Sequence, residues 1–596
     1  MKKQKNNFYP DLILIVLPGV LIWVFFAVYY RHHLHYQEQL QLFLFTSDYF
    51  VEYIVKPGGL AGYLGSFVTQ FFYHSSIGAL ILAVLLAGLH IQVTVISSML
   101  GGKPLYRPLA CLPSLFFVFL FCQEDMLVSG LIATLLVLSA ILCYAFFRRN
   151  DWRIIYLLVM IPVLYWLVGF AVFLFPVLCL FMEWVVWRKI NIRTLSIISL
   201  LAFALLLAVP RLSQLLQPQY PISRFWLAGD YYRFVTHLNP GIIYTLLAVA
   251  VIPVLSRWLP DLQTKGRRIV VRVLQFVLIF LVMDGIIGFG ADWKKEELMG
   301  YDYYVRMKRW NNIIDKANKV APDSPQTVAA LNLALSKRGY MGDYLFYYFQ
   351  NGSDGLIPNH TVDYILPVMI GEIYYHIGLV NSAQRFAFEG MESIPDYRKS
   401  VRCIQRLAET NLINRQYKVA EKYLSLLQQT LFYKDWSTDV ISLLYNEEQI
   451  NSHPEWGELR RSALQEDYLF INEDKQLLFA ALLDQNPDNH VAADYLLAQN
   501  LLDKDLLLFQ ENLRKRIEAT DCEIIPVSYQ EALAFMQDVT GQREDIYSCI
   551  SNEVQQRYEA YRQARSVQVA SEAVVRKNFG NTYWYYLHYR GGQPKF

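Results

Sequence analysis

A chain of 596 residues with 54% hydrophobic and 15% aromatic side chains, 18% charged residues and a mean hydropathy of +0.23 is too apolar for a soluble protein of its size. The net charge of +2 offers neither the basic excess of a nucleic-acid binder nor an acidic tail, so the cations carry information only through their positions. Seven cysteines without CxxC or zinc-type spacing supply no disulfide framework and no metal site, and Cys111, Cys122, Cys143 and Cys179 fall in apolar runs as packing thiols.

Lys2, Lys3 and Lys5 precede an apolar run, Leu12 to Tyr30, of about the twenty residues a membrane helix needs. The run ends in aromatics and Arg31-His32-His33 rather than in the small residues of a cleavage site, so it reads as a first span and not as a signal peptide. The stretch 31–76 that follows is too polar to span. Leu40, Leu42, Phe43, Phe50, Tyr53 and Ile54 alternate there with Gln39, Gln41, Asp48, Glu52 and Lys56, the pattern of interfacial helices lying on a membrane. Lys56-Pro57-Gly58-Gly59 breaks that run.

Further spans are predicted near 77–99, 108–122, 126–147, 153–169, 171–187, 194–210, 240–257 and 270–290, about nine with the first, the pair at 153–187 being separated by a break near Gly169. Alternate loops carry Lys103 and Arg107, then Arg148, Arg149 and Arg153, then Arg188, Lys189 and Arg193, then Arg257, Lys265, Arg267 and Arg268. These basic loops and the N-terminal lysines place the N-terminus in the cytoplasm. Gln123-Glu124-Asp125 is an acidic outer loop, and 211–239 is an outer loop that is basic against the rule. An odd number of spans puts the rest of the chain outside.

The expected organisation is therefore all-α: a polytopic membrane domain over 1–290 and a second helical domain over 291–596. Within the latter, GEIYYHIGLVNSAQRFAFEGMESIP sets Gly371, Tyr374, Gly378, Ala383 and Pro395 on the small, aromatic and proline positions of a tetratricopeptide repeat, which this unit resembles. Ala408 and Ala420, with Tyr417, Tyr423 and Leu427, echo it. That resemblance implies a TPR-like α-solenoid that binds protein partners. The tail NTYWYYLHYR reads as a capping helix rather than a patch returning to the membrane.

No GxxxxGK[ST], GxGxxG, GxSxG or HExxH occurs, which removes the common soluble nucleotide-binding and hydrolytic classes. His32, His33 and His35 read as a headgroup-contacting collar, so neither a metal nor another cofactor is expected. Asp284, inside the last span, is a further candidate because acids in membrane helices face cavities or partners. Glu38, Asp48, Glu124, Asp125, Arg211, Arg224, Asp230, Arg233 and His237 come from separate loops on the outer face. Glu38 and Asp48 are the candidate catalytic carboxylates, able to take a proton from an acceptor hydroxyl, and Arg211, Arg224 and Arg233 the candidate ligands of a lipid-linked diphosphate.

A first span, a long outer loop with an early acid, many further spans and a helical C-terminal domain resemble the GT-C superfamily of membrane glycosyltransferases. The resemblance implies that Glu38, eight residues after Tyr30, serves as base, although the loop carries no DxD or ExD pair. The segment KPGGLAGYLGSFVTQFF makes the whole chain similar to an uncharacterised Bacteroidota membrane family, which implies a bacterial inner-membrane location with a periplasmic C-terminal domain. Two functions follow as expectations. One is an envelope scaffold that binds protein partners; the other is a transferase moving sugar from a polyprenyl-linked donor. The bilayer is a partner in both, and nucleic acid in neither.

Overall fold

A computed structural model describes residues 8–124, 126–188, 190–229, 231, 240–359, 366–394, 399–464, 475–520, 525–541, 544–566, 572–590 and 594–595. Among these, regular structure is helical throughout, apart from one isolated bridge between Asp505 and Lys595. The chain divides into two compact units. Unit 1 comprises Met1–Glu296 with Ile394–Arg402 and Leu426–Asp435, and unit 2 comprises Glu297–Ser393, Cys403–Ser425 and Trp436–Phe596.

Unit 1 contains α1 (Phe8–Val24), α2 (Arg31–Gln39), α3 (Ser47–Ile54), α4 (Gly59–Thr69), α5 (Ser75–Met99), α6 (Leu112–Phe121), α7 (Ser129–Phe146), α8 (Asn150–Val168), α9 (Leu174–Phe181), α10 (Ile192–Leu216), α11 (Ile222–Leu227), α12 (Pro240–Trp258) and α13 (Lys265–Gly285). Among the described residues, seven stretches are long and apolar enough to cross a membrane, and an eighth is added if Ile15–Tyr29 and Arg31–Gln39, bent by 77°, form one broken span. Both are helical because the apolar runs leave every backbone group to be satisfied within the segment. α5 is central: it packs on α1, α7 and α12 and buries Leu82, Leu86, Leu89, Val93 and Ile96 along one stripe.

Asn150–Trp187 counts as one of the seven stretches, yet it reverses direction at Gly169. Arg153 pairs with Glu183 at 2.8 Å, and the Tyr156 and Phe175 rings lie 6.0 Å apart. In a continuous helix residues thirty positions apart would be separated by about 45 Å. Gly169 makes the reversal with φ +68, a conformation that costs a side-chain-bearing residue strain. The ends are tied by a buried network in which Glu183 also accepts from Tyr144 at 2.9 Å while the Arg153 guanidinium lies 4.3 Å over Trp187.

In unit 2 the helices Leu366–Ile377 and Val380–Ser393 form a tight pair. Tyr374 stacks on Phe386 with centroids 5.3 Å apart, Ala383 is fully buried, and a Cβ at Gly371 would come within 3.1 Å of Phe386 Cβ. Small residues thus sit where the two backbones approach. The packing is not confined to sequence neighbours as in a linear stack. Pro325–Lys337 meets His490–Leu502, with Ser336 donating to Asp494 at 2.9 Å, and Asp343 accepts the Val527 amide at 2.8 Å. The tail folds into this unit: Tyr583, Trp584, Tyr585, Tyr586 and Leu587 are all buried, and Trp584 donates to the Glu531 carbonyl at 2.6 Å.

Candidate functional site

Thr46 accepts the Tyr49 amide at 3.2 Å and so starts α3, whose Tyr49, Glu52 and Tyr53 share a face with Lys56. Gly58 then turns the chain with φ +78, and the turn is held from several sides. The Gly58 amide donates to Trp166 O at 2.8 Å, Trp166 Nε1 to Ile54 O at 2.8 Å, Gln217 to Val55 O at 2.8 Å and Tyr231 to Pro57 O at 3.0 Å. A Cβ on Gly58 would lie 2.7 Å from Ala228 O, and one on Gly65 2.7 Å from the Ser129 amide nitrogen. Gly58, Gly59 and Gly65 of the KPGGLAGYLG segment are therefore sites of close backbone approach, which brings α4 onto the start of α7 and the turn onto the loop after α11.

These elements enclose a cavity of about 380 Å³ within unit 1. It lies at the end of the bundle where α8 finishes and α7 and α12 begin. Leu127, Val168, Ile242 and Leu246 form its apolar wall, while Glu52, Lys56 and Lys399 bring charge. Glu52 and Lys399 are exposed and Lys56 half-buried, so the charged groups occupy the mouth. Deeper in, Tyr49 donates to Leu42 O at 2.8 Å and lies 3.2 Å from the Tyr53 hydroxyl, which is 3.0 Å from Ser66 Oγ. Burial, then the neighbouring Tyr53, pushes the Tyr49 phenol above its ordinary pKa, so Tyr49 stays neutral. A mouth with two ammonium groups and one carboxylate, polar hydroxyls below and an apolar wall fits an amphiphile with an anionic head.

The residues singled out in the sequence are placed differently. Glu38 is 5% exposed in α2 and takes a hydrogen bond from the Tyr433 hydroxyl, which is 3.1 and 3.2 Å from its two oxygens. Asp48 is exposed in the first turn of α3, where a negative charge complements the helix N-terminus. Arg211 is exposed on α10 and bonds Gln214 at 2.7 Å. Arg224 is buried in α11, its Nη1 without a partner among the described residues. Arg233 lies outside the described residues, as do Asp125, Asp230 and His237. None of Glu38, Asp48, Arg211 and Arg224 lines the cavity.

Asp284 is exposed on α13. In the histidine cluster the His32 and His33 amides each donate to Glu296 at 2.9 Å and the His33 ring stacks on Tyr30 at 4.8 Å. Sequence reasoning missed Lys399, which no local signal connects with Lys56. Glu52 and Lys56 were visible as polar positions of an interfacial helix, and their i, i+4 spacing was the available clue.

Comparison with curated proteins and with solved structures gives no match for this chain. The family model of DUF6057, described as a family of unknown function, matches residues 8–590, and the chain belongs to that family.

Proposed function

We propose that this is an integral protein of the bacterial inner membrane whose cavity in unit 1 binds a polyprenyl-linked anionic substrate. The observation that carries the reading is the placing of Lys56, Lys399 and Glu52 at the mouth of a cavity with an apolar wall. In the GT-C-like reaction this suggests, an acceptor hydroxyl oxygen bonds to the sugar C1 as the C1–O bond to phosphate breaks. Phosphate leaves with the electron pair beside the two lysines, and the hydroxyl proton passes to Glu52. Glu52 replaces Glu38 as the favoured base because it lines the cavity.

Binding of a fluorescent short-chain polyprenyl phosphate to the full chain in nanodiscs tests the reading. Lys56→Ala with Lys399→Ala should weaken binding by about tenfold or more, since hydrogen bonds to charged groups contribute about 1.5–3 kcal/mol. Equal affinity for the uncharged polyprenol would sink the anionic site. Glu52→Gln should leave binding intact and stop sugar transfer.

The same reading takes the chain across the membrane nine times, with a cytoplasmic N-terminus and unit 2 in the periplasm. The reversal at Gly169 supports two crossings within Asn150–Trp187, and the bent first helix supplies another. A second reading, an envelope scaffold, is favoured by the paired helices of unit 2 at Leu366–Ile377 and Val380–Ser393, which have the small-residue contacts of a TPR-like protein-binding array.

A further inference from the structure

We propose that a polar cluster inside unit 2, built on Tyr375, His376, Arg406 and Trp456, binds the backbone carbonyls of an extended peptide. This rests on the scaffold reading and assigns its binding site. Glu372, Tyr375 and His376 lie three and four residues apart, hence on one face of Leu366–Ile377. Arg406 bridges from the next helix pair, 2.6 Å from Glu372 and 2.7 Å from Glu409, with its guanidinium 3.4 Å over the Tyr375 ring. Trp310 meets the His376 ring edge-on at 5.2 Å. Glu455, adjacent to Trp456, pairs with Lys308. It is near enough to act electrostatically on Tyr375 and Glu409, as Lys308 is on His376.

Four polar atoms here have no hydrogen-bond partner among the described residues: Tyr375 Oη, His376 Nε2, Arg406 Nε and Trp456 Nε1. Tyr375, His376 and Trp456 are at most 6% exposed, whereas the Lys308 side chain is 49% exposed and Trp310 half-buried. Buried donors without partners are rare and costly, and such a concentration marks a place where a partner arrives. Burial, then Lys337, holds His376 well below the ordinary histidine pKa, so it is a neutral ring able to donate or accept.

The chemistry selects the class of ligand. Sugars are gripped by open aromatic faces, but the Tyr375 face is covered by Arg406 and Trp456 stacks on His453 at 4.0 Å. Free charge for an anionic ligand is also scarce, because Arg406 is already shared by two glutamates. What remains on offer is N–H and O–H donors, which suit a row of peptide carbonyls.

The test selects a phage-displayed library of twelve-residue peptides on the full chain in nanodiscs and measures the enriched peptide as a synthetic ligand. Tyr375→Phe removes only an atom that lacks a partner, so melting should be unchanged or slightly raised, whereas Trp456→Phe also removes buried ring atoms that stack on His453 and should lower it. Peptide affinity should fall by about tenfold in each, the worth of one hydrogen bond. Independently of any variant, replacing single amides of the peptide by esters, which weakens the carbonyl acceptor, should lower affinity for the wild type. An enriched peptide indifferent to both variants and to ester replacement overturns this site, with the atoms serving ordered water only, while the scaffold reading stands. Failure to enrich any peptide overturns both.

Discussion

Glu531 is 2% exposed, accepts the Tyr583 amide at 2.7 Å and holds the aromatic tail in place. Burial pushes its carboxyl up to about 7, outweighing the Tyr583 amide and Arg557, which act in the opposite direction. An unfolded glutamate releases its proton near its ordinary value of about 4.3, so between there and 7 the folded state holds a proton the unfolded state has lost. Stability is then highest at or below the unfolded value and falls as pH rises through the folded one, by at most about 1.4 kcal/mol per pH unit for one such group. Asp494 and Glu409, also raised to about 7 by burial, act with the same sign. We expect the melting temperature of unit 2, followed in the full chain, to decline from pH 5 to pH 8. Glu531→Gln, which still accepts from Tyr583, should flatten that decline, and an unchanged slope would show that Glu531 is ionised throughout.

At the level of elements, the break near Gly169 was legible because an apolar run of thirty-eight residues is too long for one crossing and glycine is its natural turning point. That 31–76 forms short helices rather than one long apolar one was legible for a similar local reason: polar and apolar residues alternate too quickly there for a span. Glu183 was not legible as the partner of Arg153. In the sequence it is one acid in a tryptophan-rich segment, and only the reversal brings it to the arginine, where leaving either charge alone would cost about 3–5 kcal/mol. The hairpin predicts reporter behaviour. Fusions after Arg148 and after Arg188 should both be active in the cytoplasm, and one after Phe170 only in the periplasm. Opposite signs at 148 and 188 would mean that the segment crosses once, and would invert the side assigned to everything after it.

Across the whole chain, helical class and apolar stretches are local properties and could be read directly, whereas the cavity could not. Its walls come from 41–66, 127–133, 168–171, 227–229, 231, 242, 246 and 399, and nothing in a linear pattern states that Lys399 and Lys56 share a mouth. The same non-locality changes the meaning of Glu38. Position after the first span made it a candidate base, but Leu426–Asp435 belongs to unit 1 and delivers Tyr433 to its carboxylate, while Phe432 stacks on Tyr73 at 4.9 Å. A buried carboxylate engaged in this way is an anchor for the segment 31–76. Glu38→Leu and Tyr433→Phe should each lower the stability of the full chain in nanodiscs, by about 1–3 kcal/mol, the range for losing one partner of a buried hydrogen bond. Because both remove one and the same interaction, the double variant should be little worse than the worse single one, with a coupling of similar size. Binding of polyprenyl phosphate should survive in all three, since Glu38 does not line the cavity. Additive losses would mean that Glu38 is stabilised mainly by other neighbours. A Glu38→Gln chain that melts and binds like wild type yet transfers no sugar would return Glu38 to the chemistry and displace Glu52 from it.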